Sequence, residues 1–363
     1  MTGRERALAA LQHDEPDRVP IDYWATREAD ANLCAALGLS SRQQILDRFG
    51  VDFHYIPGPT YIGPPLRRID EQTDVDLWGV PRRRAVAGEG PKAQSYENVV
   101  LHPLASALTV ADVLDYPHWP SPDWFDYSVV PEQCKQANGR CVMFMGDRLN
   151  RIAQLKPAMY LRGIEQILVD MMAQPELFRA IVDRIAGFYF EYLRRILEAA
   201  RGGIDILVTG DDFGAQESLL CKPSLWRQML QPNFRTFIDI SHCYRVPVMH
   251  HTCGSVWEIL PDLVDSGLDI LNPIQPGTRN MEPDRLKRQF GDKLTFHGGI
   301  SIQRNLPFGT PAAVRDEVRT LMAAMKSGGG FWVCTAHNIQ ADVPPENAIA
   351  LFEAYQEYGK YER

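Results

Sequence analysis

From Gly139 onward this 363-residue chain alternates short apolar runs with helical stretches, and that alternation constrains its fold more than any other feature. The runs at 141–146, 204–210, 246–253, 268–272, 294–297 and 330–334 read as strands. Helical stretches separate them at about 160–173, 175–201, 223–243, 255–266, 282–290, 311–326 and 345–358. Strands that alternate with helices pair in parallel, because each crossover returns the chain to the same end of the sheet. Two earlier strands, at 18–24 and 51–56, bring the count to about eight, which suggests a closed α/β architecture, the (β/α)8 TIM barrel.

The start of the chain adds two helices, the second over 41–49. Thr2-Gly3-Arg4-Glu5 has the spacing of a capping box, with a short helix to about Gln12. Residues 60–131 break the pattern, with short extended pieces, Gly and Pro, and an aromatic turn-rich stretch. This segment is expected to be an excursion with hairpin character, outside the regular βα repeat of a single domain spanning 1–363. Its run Arg82-Arg83-Arg84 reads as a solvated face.

Composition narrows the function. A net charge of −8 argues against nucleic acid as partner. No apolar run approaches the roughly 18 residues of a membrane helix, and the N-terminus is too charged for a secretory leader. Seven cysteines at irregular spacing fit free thiols in a reducing compartment, so the expected location is the cytoplasm.

Barrel active sites lie at the C-terminal ends of the strands. Polar residues gather there: Asp211 and Asp212, then His251-Thr252-Cys253, then Asn272 and Gln275, then His297, then Cys334 and His337. Each has a plainer role open to it, since Asp and Asn after strands often cap the next helix and a buried Cys packs as a small hydrophobe. Along a strand side chains alternate faces, so His251 and Cys253 point the same way and His250 points to the other. An imidazole beside a thiol is half of a tetrahedral zinc site, and a catalytic site needs a third protein ligand and one open position. Cys334 and His337 both suit that third position, Cys334 as the softer donor within an apolar run and His337 in the polar loop beyond it.

These segments match a known family. The stretches DRVP, GVDF, the region around Trp119 to Tyr127, GDDFGAQ, HHTCG, LDILNPIQP, LKRQFGDKLTFHGGI and AHNIQADVPPENAIA resemble the uroporphyrinogen decarboxylase superfamily over nearly the whole chain. The resemblance implies a (β/α)8 barrel. It also offers two branches. True uroporphyrinogen decarboxylases carry an Arg-Gln-Ala-Gly-Arg-Tyr motif after the first strand that binds the carboxylates of the tetrapyrrole. Here that place holds Ala25-Thr26-Arg27-Glu28-Ala29-Asp30-Ala31, one arginine among acids that repel an anionic substrate. The zinc-dependent, corrinoid-linked methyltransferases carry His-x-Cys and a distant third ligand, usually Cys, shortly before a P-x-E-N helix start, a place where the decarboxylase branch tends to have His. Counting back from Pro344-Pro345-Glu346-Asn347 places that ligand on His337.

The function implied is a zinc-dependent methyltransferase that exchanges a methyl group between a small-molecule substrate and a corrinoid, either cobalamin or a corrinoid protein. A second copy of the chain, as a homodimer, is a further partner it could take. His251, Cys253 and His337 are the expected metal ligands, with Cys334 the alternative to His337. Asp211, Asp212 and His297 are the expected catalytic residues, binding and orienting substrate together with Asn272 and Gln275. A rival reading is a carboxy-lyase acting on a tetrapyrrole or another carboxylic acid, with Asp52 anchoring pyrrole N–H groups and His337 donating a proton. A third is a non-catalytic corrinoid- or tetrapyrrole-binding barrel.

Overall fold

The computed structural model describes residues 1–145 and 152–362. Seven strands form one curled parallel sheet: β1 (Phe53–Ile56), β2 (Cys141–Phe144), β3 (Ile206–Gly210), β4 (Val248–His251), β5 (Ile270–Ile274), β6 (Thr295–Ile300) and β7 (Phe331–Thr335). They lie side by side in chain order, every neighbouring pair parallel. The result is an α/β, TIM-barrel-like sheet. Gly146, the predicted end of the strand that starts at Cys141, lies outside the described residues.

The two edge strands are bridged by the segment 20–22. Val333 N donates to Pro20 O and Asp22 N to Val333 O, each at 2.9 Å, and Asp52 N donates to Ile21 O at 2.9 Å. A regular strand over 18–24 is expected from the sequence, but only isolated bridges form, at Arg18, Ile21 and Ala25. Pro20 is the physical reason, since it has no N–H to offer the ladder.

Alternation along the strands sorts side chains between two cores. Phe53, Cys141, Met143, Ile206, Val208, Met249, Ile270, Trp332 and Cys334 point inward and form one buried cluster with Ala7, Ala10 and Trp24. Ala7 and Ala10 come from the helix Gly3–Leu11, which starts in the expected capping box and fits beneath the sheet, where its Ala7 carbonyl accepts from Trp332 Nε1 at 3.2 Å. The outward faces pack against the surrounding helices, chiefly Pro175–Ala200, Pro311–Met325 and Pro345–Tyr358.

Two predicted helices are each divided. The stretch at 160–173 is two helices, Leu155–Arg162 and Ile164–Ala173, hinged on Gly163 at φ 95°. The stretch at 223–243 is Pro223–Met229 and Gln231–Cys243. A helix at Arg27–Leu37, between the N-cap Thr26 and the left-handed Gly38, was not expected. Residues 60–131 contain a three-stranded antiparallel sheet (Thr73–Val75, Pro81–Ala87, Gln94–Val99) and the short pair Thr60–Tyr61 with Phe125–Asp126. Among the described residues they give no strand to the parallel sheet. Arg82 is buried against Asp76 at 2.6 Å, whereas Arg83 and Arg84 are exposed and paired with Asp70 and Asp74. No described helix is long and apolar enough to cross a membrane.

Candidate metal centre

The loop after β4 is held from three sides. Thr252 N donates to Asn272 O at 2.7 Å, Thr252 Oγ1 accepts from Phe213 N at 3.0 Å, and Gly254 N donates to Gln275 Oε1 at 2.8 Å. Gly254 has φ 86° and lies against the backbone of Gly214, where a Cβ would come within 2.4 Å of Gly214 C. This fixes Cys253 so that its Sγ lies 3.5 Å from His251 Nε2. Asp212 closes the group. Its Oδ1 accepts from Cys253 N at 3.1 Å and lies 3.9 Å from His251 Nε2. One donor atom from each of Asp212, His251 and Cys253 falls within 4.8 Å of the others.

Lys156 stands behind Asp212, its ammonium on the second carboxylate oxygen. Burial alone would raise the Asp212 carboxyl, but Lys156, His251 and the Cys253 N–H outweigh it and hold the group well below the usual carboxylate range. Lys156 agrees: burial works against its charge, and Asp212 more than offsets this and raises it. The pair is therefore charged at neutral pH, and Asp212 presents an anionic oxygen to the group.

Beneath this layer, inward side chains of β5, β6 and β1 form a hydrogen-bonded chain. His251 Nδ1 is 2.5 Å from Asn272 Oδ1, and Asn272 Nδ2 is 2.5 Å from His297 Nδ1. His297 Nε2 is 2.9 Å from Asp22 Oδ2, which also accepts from Tyr55 Oη at 2.5 Å. The Trp24 ring lies 5.7 Å from that of His251 and 5.4 Å from that of His297, and its Nε1 donates to Tyr55 Oη at 2.8 Å.

Of this group Cys253 lines a cavity of about 250 Å3, together with His337, Ser301 and the glutamines Gln275, Gln303 and Gln340, among others. Among the described residues, its lining includes no lysine or arginine. The His337 ring centroid is 6.2 Å from that of His251.

The family model for uroporphyrinogen decarboxylase (URO-D) matches residues 153–358, the span that carries β3 to β7 and the group just described. The chain belongs to the URO-D family. It is 24% identical to the uroporphyrinogen decarboxylase of Actinobacillus succinogenes, over 98% of this chain and 97% of that protein. With the uroporphyrinogen decarboxylase of Serratia proteamaculans it shares 28% identity over 53% of this chain, spanning about half (52%) of that relative. A methyltransferase from Methanosarcina mazei has the same fold, with a TM-score of 0.67, 18% sequence identity and 99% of both chains covered.

Within this URO-D fold the predicted residues separate. His251, Cys253 and Asp212 meet at the mouth, with His337 and Gln275 on the same cavity. Asn272 and His297 lie behind them, fully buried. Three placements differ from expectation, those of Asp211, Asp52 and His297, and Cys334, the alternative ligand, lies in the interior. Asp211 does not face the cavity: its carboxylate accepts the backbone N–H groups of Gln154, Leu155 and Lys156 at 2.6–3.1 Å, the start of the helix Leu155–Arg162. Burial pushes it up to about 6 against those three donors. Asp52 precedes β1, at the opposite end of the strands, bonded to Arg6 and Arg18 at 2.6 Å. Cys334 groups with Asp22 and His297, where burial pushes its thiol well above the ordinary range. His297 touches Asn272 and Asp22 rather than the cavity lining. His250, expected to be structural, packs on Phe213 with ring centroids 5.1 Å apart and meets Thr209 Oγ1 at 2.8 Å.

Sequence reasoning missed Asp22, Trp24, Tyr55 and Lys156. The first two stand at i and i+2 in the segment read as the first strand, and Tyr55 is an inward position of β1. Strand alternation could have put all three inside the URO-D sheet. Lys156 carries no comparable signal.

Proposed function

We propose that this protein is a zinc-dependent methyltransferase that exchanges a methyl group between a small-molecule substrate and a corrinoid. The observation that carries the reading is the convergence of His251 Nε2, Cys253 Sγ and Asp212 Oδ1 within 4.8 Å at the C-terminal mouth of the sheet. An imidazole, a thiol and a carboxylate are the donor types zinc takes in catalytic sites, with a position left open. Zinc held there would deprotonate a substrate thiol or draw electron density from a substrate heteroatom that carries the methyl group. His337 faces the group across the cavity. Lys156 keeps Asp212 charged, Gln275 holds the Cys253 loop at Gly254, and Gln303 and Gln340 offer amide contacts to a polar, uncharged molecule. We also read the curled sheet as a closed (β/α)8 barrel, with the segment 20–22 as its eighth stave.

The names of the sequence relatives support the rival reading, decarboxylation of uroporphyrinogen. The donor set favours methyl transfer: an imidazole, a thiol and a carboxylate within 4.8 Å suit a catalytic zinc with an open position. The test is zinc analysis of the purified protein, then incubation with cob(I)alamin and a panel of methoxy and methylthio compounds. About one zinc per chain and a shift of the corrinoid spectrum with some donor are expected. Carbon dioxide released from uroporphyrinogen by zinc-free protein would overturn the reading.

A further inference from the structure

The buried chain Asp22–His297–Asn272–His251 has a direction, and the direction decides which nitrogen of His251 carries the lone pair. Asp22 is 1% exposed and His297 and Asn272 are 0% exposed, so water does not compete for these contacts. The Asp22 carboxylate is an acceptor, taking Tyr55 Oη–H at 2.5 Å and Tyr23 N–H at 2.7 Å. His297 Nε2, 2.9 Å away, must then carry a proton. With that single proton on Nε2, the lone pair of His297 lies on Nδ1, which faces Asn272 at 2.5 Å and takes a donor, the amide Nδ2. The Asn272 Oδ1 is thereby turned to His251 Nδ1, 2.5 Å away, and accepts its proton. What remains is a lone pair on His251 Nε2, aimed toward Cys253 Sγ at 3.5 Å and Asp212 Oδ1 at 3.9 Å. Reversing the amide would require either a second proton on His297, a buried cation, or an unprotonated Nε2 set against the carboxylate.

We propose that Asp22 is a positioning residue which, through His297 and Asn272, fixes His251 with its proton on Nδ1 and so prepares Nε2 as a metal donor. The inference rests on the zinc reading for its purpose, and on hydrogen-bond geometry alone for the tautomer. Trp24, held by Tyr55, packs against both imidazoles, its ring tilted 40° to that of His251 and 39° to that of His297. Partners behind a liganding histidine typically change metal affinity by about 10- to 100-fold.

Two measurements test it. In metal-free wild-type protein labelled with 15N-histidine, two-bond proton–nitrogen correlations should show His251 protonated on Nδ1 and His297 on Nε2. His251 protonated on Nε2 would overturn the proposal, without any variant and whether or not the protein binds zinc. In the second, zinc affinity is measured by competition with a chromophoric chelator. Asp22→Asn and Asn272→Leu should each weaken binding by about 10- to 100-fold, and His251 in Asp22→Asn should show both tautomers. Wild-type affinity together with an unchanged tautomer in a folded Asp22→Asn protein would also overturn it. Absence of zinc binding in wild type, with the predicted tautomers in place, would instead count against the zinc reading alone.

Discussion

Asp212 and His337 compete for one role, and single substitutions separate them. Cys253→Ala removes the soft donor and should take zinc content from about one per chain to near zero. Asp212→Ala should weaken zinc by at least the roughly 10- to 100-fold typical of a lost supporting group, because its Oδ1 already lies 3.9 Å from His251 Nε2. Cys334→Ala should leave zinc near normal, since that thiol lies with Asp22 and His297 in the interior. A larger loss in His337→Ala than in Asp212→Ala, measured by chelator competition, would give the third position to His337. The pairing of His251 with Cys253 was legible because strand alternation is a local rule. Asp212 was legible as a residue at the mouth but not as a neighbour of Cys253, because the contact depends on how two loops 41 residues apart are pinned together. Asp211 illustrates the opposite error. Nothing local separates a carboxylate that caps a helix from one that faces a cavity when the two are adjacent in sequence.

The loop after β4 depends on backbone contacts that no side chain can replace. Gly254 combines φ 86° with a close approach to Gly214, and Gly214 in turn lies within 2.9 Å of Ser255 N if given a Cβ. Gly254→Ala therefore meets both a left-handed conformation and a backbone clash. It should lower stability by about 1–3 kcal/mol and displace Cys253. The checks are a denaturant midpoint and zinc content. Wild-type values for both would mean that the loop is not fixed in this way. Element order was readable for the same reason that this loop was not. Buried parallel strands are continuous apolar runs, and each helix announces itself by period and length. The failures fell where the signal is a single residue: Pro20 interrupting the first strand, Gly163 dividing a helix, and the polar, weakly patterned Arg27–Leu37 helix, which is recognisable chiefly by its caps Thr26 and Gly38.

The end of the sheet where the strands begin is held by charge, and this sets how the fold should respond to acid. Arg6, from the helix under the sheet, bonds Asp17 and Asp52 at 2.6 Å, and Arg18 bonds the same Asp52 at 2.6 Å. Asp52 also accepts from Ile21 N at 2.8 Å, so one carboxylate joins the helix Gly3–Leu11, the bridging segment and the start of β1. Removing one partner of a buried pair leaves the other charge uncompensated. Asp52→Asn should thus cost about 3 kcal/mol in denaturant unfolding while zinc content stays at the wild-type value. A variant of normal stability with altered substrate affinity would return Asp52 to the site. Asp17 supplies the pH dependence. Its hydrogen bonds to Arg6 hold the carboxyl well below the usual range, against the opposing effect of burial. Its folded pKa therefore lies below the unfolded value of about 3.9. The pair contributes its full stability above about pH 4 and loses it as pH falls through the folded pKa, because the unfolded chain binds the proton first. Asp17→Asn should be less stable than wild type at neutral pH and should lose less stability between about pH 4 and pH 2. Parallel pH–stability curves for the two proteins would show that the Arg6–Asp17 pair does not hold this end together.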